Sequence, residues 1–139
     1  MVEFALVLPM LLLVFAGIVD FGLLLQRYEV ITNAAREGAR IGVLPGYDSA
    51  AVQGRVLDYV ATGLSMSSGD ASAAVGTPTV ETVTITPSSG APFSATRVTV
   101  NFNYSYVILG RLVNLATGRG WDPSITVTGR STMRREIVG

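Results

Sequence analysis

Residues 2–22 read VEFALVLPMLLLVFAGIVDFG, and this stretch decides how the rest of the chain is understood. From Phe4 to Leu25, 18 of 22 residues are apolar, the exceptions being Pro9, Gly17, Asp20 and Gly22. A helix of that length rises roughly 33 Å, about one hydrocarbon thickness. Three structures fit such a run. A cleavable secretory signal needs a basic leader, whereas this run is preceded by Met-Val-Glu, and no small-residue cut site follows it. A permanent transmembrane anchor fits the length. So does a helix that spans the bilayer first and later packs into a protein assembly.

The polar residues of the run favour the assembly. Glu3 heads the helix, where the positive dipole end welcomes an acid and where an N-terminal amine is a natural partner. Pro9 removes one backbone donor and frees the carbonyl of Ala5, predicting a local kink. Asp20 lies near the end of the span, where it either snorkels to the interface or serves a contact. Arg27, Arg36 and Arg40 all follow the span, so the positive-inside rule by itself leaves the C-terminal domain in the cytoplasm. A removed basic leader reverses that orientation.

The helical pattern runs on past Leu25. Phe21, Leu24, Leu25, Tyr28, Ile31, Ala35 and Ala39 recur at three- and four-residue steps, predicting one helix from Val2 to about Val43, stopped by Pro45-Gly46. Ala34, Gly38 and Gly42 form a small-residue stripe at four-residue spacing, suited either to another subunit or to the chain's own sheet. Asp48 and Ser49 cap a second helix expected to bury Val52, Val56, Tyr59 and Val60 and to end near Gly63. Residues 65–79 are small and polar and read as a surface loop. Strand alternation follows at Val83 and Ile85, at Val98 through Tyr106, and at Ile125 through Met133. Residues 108–117 read as a connecting turn.

Composition removes most chemistry. The chain has 139 residues with 10 basic and 10 acidic side chains, and no His or Cys. Every basic residue is Arg. No Ser-His-Asp or Cys-His set, Cys/His zinc site or Schiff-base Lys can be assembled. Zero net charge argues against a nucleic-acid face. Asp48, Asp58, Asp70 and Asp122 are scattered, with no spacing of a carboxylate pair or calcium loop. Asn103-Tyr104-Ser105 matches a glycosylation acceptor but falls inside a strand. Trp121 is expected in the core or at an interface. No catalytic residue, cofactor or metal site is expected.

VEFALVLPMLLLVFAGIVDFG, ITNAAREGARIG and ITVTGRSTMRRE together resemble the TadE-like proteins of bacterial tight-adherence pilus systems, which are similar to type IV pilins. The resemblance covers both ends of the chain and not residues 44–120. It implies a short basic leader cut by a prepilin peptidase, an inner-membrane precursor, and partners in the pilus assembly machinery. It also implies that Glu3 is the counterpart of the pilin acid that pairs with a neighbouring subunit's N-terminal amine. An unpaired carboxylate in an apolar filament core is costly, and the pairing offsets that cost. Two residues precede Glu3 here, where pilins keep four.

The expected fold is α+β: a long N-terminal helix, hydrophobic and then amphipathic, packed on a small antiparallel sheet with a second short helix. Residues 1–25 are expected to form the membrane or filament-core helix and residues 26–139 a pilin-like globular domain. The expected function is that of a structural subunit of an extracellular pilus-like filament built from identical subunits. The expected assembly residues are Glu3, Pro9, Asp20, Ala34, Gly38 and Gly42. A membrane-anchored minor pseudopilin that primes or caps a pilus is the alternative, and a single-pass anchored binding module is a third.

Overall fold

The computed structural model describes residues 2–135; the side chains of Val2, Glu3, Ala5, Leu6 and Ala116 lie outside the described set. Helix α1 runs unbroken from Val2 to Gly42, carrying Pro9 inside it. Its end follows from sequence, since Pro45-Gly46 lies just beyond it. Helix α2 spans Ser49–Gly63 and is started by Asp48, whose carboxylate accepts the Ala51 N–H at 2.8 Å. It buries Val52, Val56 and Val60 as expected, whereas Tyr59 is exposed.

The predicted loop 65–79 contains a helix. Helix α3 spans Ser68–Val75, and Ser67 caps it by accepting the Asp70 N–H at 3.1 Å while its hydroxyl donates to the Asp70 carboxylate at 2.7 Å. A Ser three residues ahead of an Asp is a helix-start signal, masked in the sequence by its small, polar surroundings. Strand β1 (Thr79–Ile85) follows, then β2 (Phe93–Ser105). The second correction is helix α4, Ile108–Thr117, where a turn was expected. Strand β3 (Ser124–Arg134) closes the order.

The three strands form one antiparallel sheet in the order β1-β2-β3. Val80 pairs with Val98 and Ile85 with Phe93. Side-chain bonds Thr128–Asn101 at 2.8 Å and Thr126–Asn103 at 2.9 Å bridge β2 and β3 on the polar face. Alternation decides the other face: Val98, Val100, Phe102 and Tyr104 are all buried.

The chain divides into two compact units. One comprises residues 28–102 and 127–139, and its core joins Ile31, Ala35 and Ala39 of α1 to Val52, Val56 and Val60 of α2 and to Val98 and Val100 of β2. Complete burial of each such valine contributes about 1.5–3 kcal/mol. The other comprises residues 1–27 and 103–126, so it joins the apolar part of α1 to α4 and the chain flanking it.

Candidate functional site

The unit built from residues 1–27 and 103–126 holds the one fully buried acid among the described residues. Asp20, set in the apolar run of α1, is only 1% exposed. It does not reach toward solvent. Its Oδ1 accepts the backbone N–H groups of Val107 and Ile108, both at 3.2 Å, and its Oδ2 accepts the Leu109 N–H at 2.7 Å. The Tyr104 hydroxyl donates to the Asp20 main-chain carbonyl at 3.1 Å, with the carboxylate at 3.4 Å.

The physical cause lies in α4. A helix leaves its first N–H groups unpaired, and a side-chain oxygen at the position before the helix ordinarily satisfies one of them. Here that position is Val107, which has no oxygen to offer and makes no capping bond. Asp20 supplies the cap from 87 residues away. A carboxylate also suits the positive end of the helix dipole. The buried acid and the uncapped helix therefore satisfy each other.

Tyr104 anchors the same corner. The Arg27 guanidinium sits 5.7 Å from its ring centroid, and Tyr106 meets it edge-on at 5.5 Å. Burial, reinforced by the neighbouring Asp20 carboxylate, pushes the Tyr104 phenol above its ordinary range.

From this anchored end α4 runs back beside α1. Leu112, Val113, Leu115 and Thr117 face Leu8, Pro9, Leu12 and Leu13 across a groove of about 440 Å³. The two helices are thus antiparallel over residues 8–20 of α1. At the far end, Gly118 adopts the left-handed conformation with φ 64°, and its N–H bonds the Asn114 carbonyl at 2.8 Å. The loop leading to β3 is tied to α4 through Asn114, whose side chain accepts the Trp121 N–H at 2.6 Å and donates to the Trp121 carbonyl at 3.0 Å. Trp121 itself is 41% exposed and is no part of the core.

The other expected assembly residues lie apart. Pro9 is exposed and lines the groove. The Glu3 side chain lies outside the described residues. Ala34 is buried, and the stripe it begins faces the chain's own elements. A Cβ on Gly38 would stand 2.5 Å from Val56 Cγ2, and one on Gly42 would stand 2.9 Å from Thr96 Cγ2. The Thr96 hydroxyl donates to the Gly42 carbonyl at 3.1 Å, fixing that approach.

An apolar helix extended by an amphipathic half, with a small antiparallel sheet, defines a pilin-like α+β protein. Residues 1–40 match the family model described as TadE-like protein, so the N-terminal segment is TadE-like, as its motifs suggest. That match and the apolar helix fit a protein associated with tight-adherence pili and held by a membrane helix. No curated protein and no solved structure matches the chain.

Proposed function

We propose that this chain is a pilin-like subunit whose α1 first crosses the inner membrane and then leaves the bilayer to pack into an extracellular filament of identical subunits. One observation carries the proposal: α4 lies beside residues 8–20 of α1 while bearing Arg111, with Arg119 and Asp122 on the return, all exposed. If α1 spanned a bilayer in this conformation, those charges would enter hydrocarbon beside it, at about 2.5–3.5 kcal/mol each near the centre. The docked form therefore suits α1 in a protein assembly, and the inserted form requires α4 elsewhere. In this proposal a prepilin peptidase processes the precursor and Glu3 pairs with a neighbour's terminal amine.

A second function, that of a minor pseudopilin that primes or caps a pilus, is favoured by the coverage of α1. Docked α4 occupies one face of the helix, whereas the centre of a filament surrounds each helix with neighbours. A binding module gains no support from the groove between α1 and α4, whose walls are almost wholly apolar and carry no convergent polar groups.

Electron microscopy of purified, full-length material separates the first two. Uniform filaments built from this chain alone are expected. Particles that never polymerise, found together with filaments of another protein, overturn the main-subunit role in favour of the minor one.

A further inference from the structure

Helix α4 has two unlike sides. Ile108, Leu109, Leu112, Val113 and Leu115 fall within about half of its circumference, and Gly110, Arg111, Asn114 and Thr117 occupy the rest. The loop that follows lies on the polar side. Asn114 holds the Trp121 backbone there, and a Cβ on Gly110 would stand 3.9 Å from the Trp121 carbonyl oxygen. The apolar side is left clear of that loop.

Docking on α1 does not bury the apolar side. Ile108, Leu109, Leu112 and Val113 are only half-buried, and Leu115 is 85% exposed. Where α4 meets Leu8, Pro9, Leu12 and Leu13, a groove of about 440 Å³ stays open. The satisfied part of the contact is polar: three N–H groups held by the Asp20 carboxylate. A helix of 10 residues is marginal by itself, and one docked through half-filled apolar contacts belongs to the least stable part of a fold. It exchanges that contact for a better apolar surface where one is offered.

Continuity and charge make that surface a lipid leaflet. Helix α1 is long and apolar enough to cross a membrane. Asp20, which meets the start of α4, lies five residues before Leu25, about 7.5 Å along the helix from the end of the apolar run. Tyr104, bonded to the Asp20 carbonyl, holds the chain to α1 just ahead of α4, so residues 105–107 form the pivot. Residues 107–121 carry Arg111 and Arg119 and no acid, with Asp122 following, and both arginines are exposed. Arg111 flanks the apolar side next to Leu115, where a long side chain buries its stem and keeps its charge among headgroups.

We propose that α4 is an interfacial helix. While α1 spans the bilayer, α4 swings off it and lies in the plane of the leaflet where α1 emerges, apolar side inward, with its arginines on anionic phospholipid headgroups. The proposal rests on the reading that α1 crosses a membrane before assembly, and it adds where α4 is held in that state. Water and phosphate oxygens then take the three N–H groups, and the Asp20 carboxylate is hydrated near the interface. When α1 leaves the lipid, α4 loses its leaflet and docks, and Asp20 becomes its cap.

The chain has no cysteine, so one introduced thiol carries one nitroxide label. Full-length chain carrying Leu112→Cys, Leu115→Cys or Asn114→Cys is reconstituted in phosphatidylcholine vesicles, with and without phosphatidylglycerol. Label depth is read from accessibility to oxygen against a water-soluble nickel chelate. Labels at Leu112 and Leu115 are expected about 5–10 Å into the boundary of headgroups and acyl chains, with Asn114 at or above the headgroups. Labels near the bilayer centre at all three positions mean that α4 stays docked on α1, and they overturn the proposal; aqueous labels at all three do the same. Arg111→Gln and Arg119→Gln should each lower the ratio of interfacial to aqueous label about fivefold in the anionic vesicles. An equal loss in neutral vesicles overturns the headgroup contact. Asp20→Ala should keep the interfacial depth, because its cap belongs to the docked form, and loss of that depth counts against the exchange. Chain that alkaline extraction strips from the vesicles overturns the membrane-crossing reading of α1 and this proposal with it. Inserted chain with central or aqueous labels overturns the proposal alone.

Discussion

The Asp20 carboxylate accepts the Leu109 N–H at 2.7 Å, joining the apolar helix to the start of α4 across 89 residues of sequence. Asp20→Ala removes the acceptor of three amide donors, Val107, Ile108 and Leu109, in a part-buried corner, and each donor left unpaired away from water costs about 1–3 kcal/mol. The expected result is loss of hydrogen-exchange protection across residues 107–117, with protection of α2 and β1 kept. Asp20→Asn retains one acceptor oxygen and should lose less. Unchanged protection of α4 in Asp20→Ala would show that the cap is dispensable.

Tyr104→Phe removes the hydroxyl that bonds the Asp20 carbonyl while keeping the ring beneath Arg27. A loss of about 1 kcal/mol in urea unfolding is expected, as for a single hydrogen bond. A loss as large as that of Asp20→Ala would place the tyrosine, and not the acid, at the centre of the corner.

Gly129 is the tightest approach of strand to helix: a Cβ there would stand 2.6 Å from the Ile31 carbonyl oxygen. That oxygen belongs to helix backbone and cannot swing aside. Gly129→Ala should therefore destabilise by about 1–3 kcal/mol or more, the range for overpacked cores. Gly54→Ala, where a Cβ meets nothing, should be neutral or mildly stabilising in the same thermal melt.

Glu37 forms a two-bond fork with Arg40, at 2.9 Å for each contact, and Arg55 approaches to 3.6 Å. The Arg40 hydrogen bonds, helped by both positive charges, hold its carboxyl below the ordinary 4.5. A lowered folded-state value means stability that is present above the ordinary value and is lost as pH falls through the folded one. Unfolding midpoints should therefore fall below pH 4.5, and Glu37→Gln should shallow that acid slope. The effect is small because the pair is solvent-screened. An unchanged acid slope in Glu37→Gln would remove the fork from the acid response.

Ser67→Ala deletes the α3 cap and should cost about 0.5–2 kcal/mol. Circular dichroism and exchange at residues 68–75 read the fraying directly, and unaltered protection there would count against the cap.

The sequence by itself determined the parts whose signals are local. The apolar run, the unbroken α1, the Asp48-capped α2 and the alternation along β2 each follow from neighbouring residues and the 3.6- or two-residue period. So did the TadE-like N-terminus, carried by one ordered set of residues. The helix at Ser68–Val75 was hidden by small residues, although Ser67 and Asp70 signalled its start.

What Asp20 does was decided only by the tertiary structure. An acid in an apolar run reads locally as a snorkelling or contact residue, and Ile108–Thr117 without a capping side chain reads locally as a turn. The acid accounts for the missing cap and the missing cap for the buried acid, but the pairing spans nearly the whole chain. Likewise Ala16 is buried while Met10 and Phe15 of the same apolar run stay exposed, because burial, which no local pattern records, separates residues of equal hydropathy.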